Sequence, residues 1–187
     1  ERYLKDDAEL DEYLIEQGVA SQTLILENGE QIAGADLRAR VKEAASFKST
    51  LSRLVMRAPG PIIEQAALAG VLKAGAGAAE ADVAAQRLNR IAEEGEDNWT
   101  GAFIDGAFLF RRTVRGVEEK AALDPQLLAT PDARRLAERA DAMGTLYDGR
   151  CILRHDKTGD ATVHGPGSLL AAVLAAGERG IKIQRYK

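Results

Sequence analysis

The spacing of apolar and polar residues changes rhythm several times along the chain. Leu10, Tyr13 and Leu14, with Gln17, share one face of a stretch opened by Asp6 and Asp7, which predicts a first helix with Gly18 as its stop. In QTLILENGEQIAG two short apolar runs flank Asn28-Gly29, the dipeptide favoured in tight hairpins. Leu37, Val41, Ala44, Leu51 and Val55 then recur at helical spacing, with Phe47 and Leu54 alongside. A long helix is therefore predicted from Asp36 to about Ala58, ended by Pro59-Gly60-Pro61. IIEQAALAGVL predicts a shorter helix packed back on the long one, and Gly75-Ala76-Gly77 leads into a third, from Glu80 to about Glu94.

From Asn98 the pattern turns to alternation. WTGAFIDGAFLFRRTVRG gathers Trp99, Phe103, Phe108 and Phe110 around Asp105-Gly106 and predicts a two-stranded hairpin. Thr130 can cap a helix that has Pro131 at its first position and runs to about Leu146. RCILRHDKTGDATVHG reads as another hairpin, Gly167 to Gly177 as an Ala-rich helix, and GIKIQRYK as a last strand in which Ile181 and Ile183 are buried. The fold class expected is α+β, a helical unit beside short antiparallel hairpins.

Composition adds bounds. The 187 residues, 45% apolar, suffice for one large domain or two small ones. Cys151 is the sole cysteine, so no intramolecular disulfide can form and a reducing, cytoplasmic setting is expected. Neither a membrane-length apolar run nor a signal-peptide pattern is present in these residues. The net charge of -4 is unevenly spread. Nine acidic residues lie between Glu1 and Gln31 against Arg2 and Lys5, whereas Asp36 to Ala58 holds six basic residues against Asp36 and Glu43. Arg111, Arg112 and Arg115 form another cluster, and Arg179, Lys182, Arg185 and Lys187 another. Such clusters are solvated surface or contacts for phosphates and acidic partners.

Motifs that carry chemistry are weak. DKTGD, Asp156 to Asp160, resembles the aspartyl-phosphate loop of cation-pumping ATPases but lacks its final Thr, and the same residues make good turn chemistry. Gly75-Ala76-Gly77 lacks the Gly-Lys-Ser/Thr of a phosphate loop. Cys151, His155 and His164 offer three metal-ligand types without the paired spacing of a zinc site, and neither histidine has a nucleophile motif beside it. No catalytic, cofactor-binding or metal-binding residue is assigned.

IQRYK, near the end, resembles the stretch of bacterial DNA gyrase B subunits that reads on into Gly-Leu-Gly-Glu-Met-Asn. RYLKDDAELDEYLIEQ is similar to the helix following the last strand of the metal-binding TOPRIM core in that family, and IAGADLRARVKEA to the start of the insert interrupting that core in many Gram-negative gyrases. RLVMRAPG, NWTGAF and SLLAAVLAAGERGIKIQRYK follow in the order of that insert. The resemblance implies a TOPRIM-side connecting helix at 1–19, an insert at 20–177 with a helical part near 36–95 and an α/β part near 98–177, and a return strand at 178–187. It implies an excised piece of a type IIA topoisomerase that supercoils DNA with ATP and Mg²⁺. The Mg²⁺-binding Glu and Asp-x-Asp lie upstream in the family, the ATPase domain further upstream, and the nucleophilic Tyr on the A subunit.

The expectation is therefore a scaffold and interaction module, itself without cofactor or catalytic residues, whose partners are DNA, the gyrase A subunit, the rest of gyrase B and a gyrase-regulating protein, with no membrane. Arg185 and Lys187, placed by the resemblance near cleaved DNA, and Arg111, Arg112 and Arg115 are the DNA-contact candidates. Two other readings stand beside this one: a docking surface for the regulator, on the acidic first helix or the helical unit, and a small autonomous enzyme using the Cys151 and His155 region.

Overall fold

A computed structural model describes residues 2–179 and 181. The chain divides into two compact units, one built from Glu1–Ser46 and Leu146–Lys187, the other from Phe47–Thr145. The architecture is α+β, as the sequence pattern predicts, with two small antiparallel sheets.

In the first unit, helix α1 (Asp7–Ala20) starts where Asp6 accepts a hydrogen bond from the Glu9 N–H at 2.9 Å. Strands β1 (Gln22–Ile25) and β2 (Gln31–Ala33) follow, joined through Asn28-Gly29 with Gly29 at φ 87°. Much later in the chain, β6 (Cys151–His155) and β7 (Gly159–Val163) form the second hairpin, and β1 pairs with β6, Leu24 opposite Leu153, to give the order β2-β1-β6-β7. Two hairpins that look independent in sequence thus share one sheet. Helix α7 (Pro166–Glu178) packs on α1 and opens with Pro166 at its first position. The unit's core includes Leu14, Leu24, Leu37, Val41, Leu153 and Val173.

Gly18 does not stop α1. It is buried two residues before the end of the helix, and a Cβ there would sit 2.1 Å from the Val173 carbonyl oxygen. Gly177 answers from α7, where a Cβ would sit 2.1 Å from the Leu14 oxygen. The face predicted for α1 is otherwise right in Leu10, Tyr13 and Leu14, while Gln17 is exposed.

Helix α2 (Gly34–Leu51) carries the chain from the first unit into the second. It ends earlier than the apolar spacing predicts. Ser52 Oγ donates to the Ser49 carbonyl at 2.7 Å, a side-chain competitor for helix hydrogen bonding, and tight turns follow. Val55, predicted on the buried stripe, consequently leaves it, while Leu54 and Ala58 stay buried.

The second unit contains α3 (Gly60–Leu68), α4 (Ala78–Ile91), the short α5 (Pro125–Leu128) and α6 (Pro131–Ala142), with strands β3 (Thr100–Ile104), β4 (Ala107–Val114) and β5 (Val117–Leu123). Pro59 precedes α3 without a side-chain cap, and the principal partners of α3 are α4 and α6, where the apolar pattern alone pairs it with the preceding long helix. Thr130 caps α6 as predicted, its hydroxyl accepting from the Ala133 N–H at 3.1 Å, but α6 stops at Ala142 because Gly144 adopts φ 57°. The β3-β4 turn has positive φ at both Asp105 (52°) and Gly106 (79°), the conformation that two-residue hairpins favour. Arg115 (52°) and Gly116 (78°) repeat it and add β5, a third strand the alternation does not foretell. Helix α4 lies so close to β3 that a Cβ on Gly101 would sit 2.3 Å from the Ala81 carbonyl oxygen. Near the two ends of the unit, Arg139 Nε donates to Thr50 Oγ1 at 3.2 Å.

Candidate nucleic-acid interface

Each arginine cluster named from the sequence has a distinct setting. In the first unit Arg38 of α2 pairs with Glu16 of α1, and Arg40 with Glu43 at 3.4 Å. On β4, Arg111 and Arg112 stand opposite Lys120 and Glu119 in register, and their guanidinium groups reach Glu118 at 3.9 Å and Glu119 at 3.0 Å. Arg112 also lies over the Trp99 ring, 4.7 Å from its centre, and donates to the Glu96 carbonyl at 3.3 Å.

Two asparagines hold this arrangement. Asn89 donates to the Trp99 carbonyl at 3.1 Å and accepts the Trp99 N–H at 2.7 Å. Asn98 donates to the Thr113 carbonyl at 2.9 Å and accepts the Thr113 N–H at 2.7 Å, so one amide imitates a strand pairing. The indole is thereby fixed under a guanidinium already occupied by a carboxylate. Arg111 and Arg112 are gathered, but each shares its charge with a neighbouring acid; Arg115 is exposed at the β4-β5 turn. Sequence spacing shows the cluster but not the glutamates facing it, because those belong to the unforeseen β5.

Arg179 donates to Thr158 Oγ1 at 2.5 Å. Ile181 is half-buried, and its N–H donates to the Glu178 carbonyl at 3.2 Å. Glu178, where the return strand is expected to begin, instead ends α7, and Lys182, Ile183, Arg185 and Lys187, with most of that strand, lie outside the described residues.

The other motifs resolve into local structure. Asp156 to Thr158 form the β6-β7 turn, where His155 Nδ1 accepts the backbone N–H of Lys157 at 3.0 Å and of Thr158 at 3.2 Å. Arg154 forks onto Asp160 at 2.9 and 3.0 Å. That hydrogen bond lowers the Asp160 pKa and raises that of Arg154. Cys151 is buried, its Sγ 3.2 Å from the Leu146 oxygen, at the opposite end of β6 from His155 and about 13 Å away by strand rise. Among the described residues, no three His, Cys, Asp or Glu side chains gather as a metal ion would require. No helix among them is long and apolar enough to cross a membrane.

Sequence reasoning gave no sign of a cleft of about 620 Å³ in the second unit, floored by Phe103, Phe108 and Leu72 and rimmed by Arg134, Glu138 and the Lys73–Asp141 ion pair. It also missed the exposed segment around Met56, which is 94% exposed. An apolar residue at helical spacing is assigned to a buried face unless the end of its helix is known.

No protein-family model matches the chain. Curated relatives match it from end to end. It is 48% identical over 186 residues to the DNA gyrase B subunit of Caulobacter vibrioides. Identity is 27% over 194 residues to the DNA gyrase B subunit of Rickettsia felis and 25% over 192 residues to that of Rickettsia conorii. Each alignment takes in 100% of this chain but only 23 to 24% of the relative, so the chain spans about a quarter of the length of the proteins it matches. Along its whole length the chain is homologous to one segment of the DNA gyrase B subunit.

Proposed function

We propose that the chain works as a scaffolding and interaction segment of gyrase B, within a type IIA topoisomerase that supercoils DNA at the expense of ATP in the cytoplasm. The observation that carries this reading is the end-to-end match, at 48% identity, to the DNA gyrase B subunit of Caulobacter vibrioides. Residues 1–19 and 178–187 join the segment to the TOPRIM core, and 20–177 form the insert. Its partners are the rest of gyrase B, the A subunit and DNA, with Arg111, Arg112, Arg115, Arg185 and Lys187 as candidate phosphate contacts. Mg²⁺ and ATP belong to other parts of the parent. No step of catalysis is assigned to this segment.

The test is made in full-length gyrase B. Replacing Phe47–Thr145 by a short flexible linker removes one compact unit while keeping both hairpins of the other sheet. Duplex binding or supercoiling should fall, and ATP hydrolysis in the absence of DNA should persist. Supercoiling at the original rate would overturn the proposal.

A further inference from the structure

After α2, backbone hydrogen bonds from Ser52 to Lys48 (2.9 Å), Leu54 to Leu51 (2.9 Å) and Arg57 to Leu54 (3.0 Å) hold the chain in tight turns. Leu54 and Ala58 are buried and pin the segment at two points. Between them Val55 and Met56 protrude, 45% and 94% exposed. A single exposed apolar side chain is ordinary and carries no meaning by itself. The surroundings of this pair are not ordinary.

Lys48, Arg53 and Arg57 occupy the same segment, and no acidic residue lies between Lys48 and Arg57. Helix α6 brings further cations to this surface. Arg53 and Arg135 both reach the Asp132 carboxylate, at 3.3 and 3.5 Å, and Arg139 donates to Thr50 at 3.2 Å. One carboxylate is therefore shared by two guanidinium groups, and Lys48 and Arg57 have no ion-pair partner among the described residues. On a chain of net charge -4, this is a strongly positive platform with an apolar prong held in place by its own backbone.

We propose that Val55 and Met56 are a wedge that enters the minor groove of duplex DNA and partly unstacks a base step, while Lys48, Arg53 and Arg57 meet the phosphates on either side. Minor-groove proteins that kink DNA combine these two elements, an inserted apolar side chain and flanking cations. Cations drawn from two separate elements suit a continuous polyanion, and the prong needs no pocket in its partner because a base step opens to receive it. The inference rests on the reading of the chain as part of a DNA-handling protein, and adds a contact point and a mode of contact.

The assay uses full-length gyrase B with its A partner and a duplex carrying 2-aminopurine, whose fluorescence rises on unstacking. Met56→Ala should weaken duplex binding at least about fivefold, as expected for loss of an interface anchor, and cut the fluorescence rise, with Met56→Leu restoring both. Lys48→Gln with Arg57→Gln should reduce the slope of log affinity against log salt by about two. All three side chains are exposed, so the fold should be unaffected. Variants matching wild type in affinity, fluorescence and salt slope would overturn the wedge, as would variants that bind the A subunit less well without DNA while holding DNA normally. The functional reading fails separately if removing Phe47–Thr145 leaves supercoiling at its original rate, and duplex binding left unchanged by that removal, with supercoiling reduced, overturns the wedge alone.

Discussion

Two glycines set how closely α1 and α7 approach, since at Gly18 and Gly177 the backbone of the opposite helix occupies the place of a side chain. Those contacts are carbonyl oxygens and cannot swing aside. Gly18→Ala should therefore force the helices apart and destabilise the chain by about 1–3 kcal/mol. For a chain of this size that lowers the thermal midpoint by about 2–4 °C per kcal/mol, measurable by calorimetry. An unchanged midpoint would mean that the approach is looser than described. From sequence alone Gly18 reads as a helix stop, because a glycine that ends a helix and one that admits another helix look identical until the second helix is in place. Asp6 and Thr130, whose capping partners lie three residues away, are legible without that knowledge.

Elements with local causes were the ones that could be read. Asn28-Gly29 and Asp105-Gly106 announce their hairpins because such residues tolerate positive φ, which Gly29 adopts in the first turn and both Asp105 and Gly106 adopt in the second. Arg115-Gly116 makes a turn of the same kind with a residue rarely found there, and Glu118-Glu119-Lys120 has little strand propensity. Strand β5 nonetheless pairs with β4 along its whole length, and its Glu118 and Glu119 reach Arg111 and Arg112. Helix α4 offers a sharper test of a local cause. The Gly77 N–H donates to the Glu80 carboxylate at 2.9 Å, and this bond, with the Glu80 N–H, holds the Glu80 pKa below the ordinary carboxylate range. A lowered folded-state pKa means stabilisation that is complete above the unfolded value and lost as pH falls through the folded one. Glu80→Gln should thus melt below wild type at about pH 7, and the gap should close toward about pH 3. A gap independent of pH would show that the charge contributes nothing to the cap.

For the whole molecule, the resemblance at both ends pointed to the family that the relatives then supplied, but the assembly of the first sheet could not be read. Strand β1 gains its partner β6 only after the second unit has intervened, and no alternation of residues encodes so distant a pairing. The candidate phosphate contacts stay a sequence proposition at Arg185 and Lys187, which lie outside the described residues. Lys187→Ala in full-length gyrase B with its A partner should weaken DNA binding equally across sequences and reduce the salt slope by about one. The same change in the isolated chain should have almost no effect. An unaltered slope in the complex would remove Lys187 from the interface.

The hydrogen bond between Thr50 and Arg139 has a consequence for how the first sheet is completed. Pairing Ile25 with Ile152 requires the chain to close a very long loop. A folded second unit, tied near its ends by that bond, shortens the free chain to about a third and lowers the entropy cost of closure by about 1 kcal/mol. The interrupting unit thus eases the ring closure it would otherwise obstruct, and the sheet forms more readily once that unit has folded.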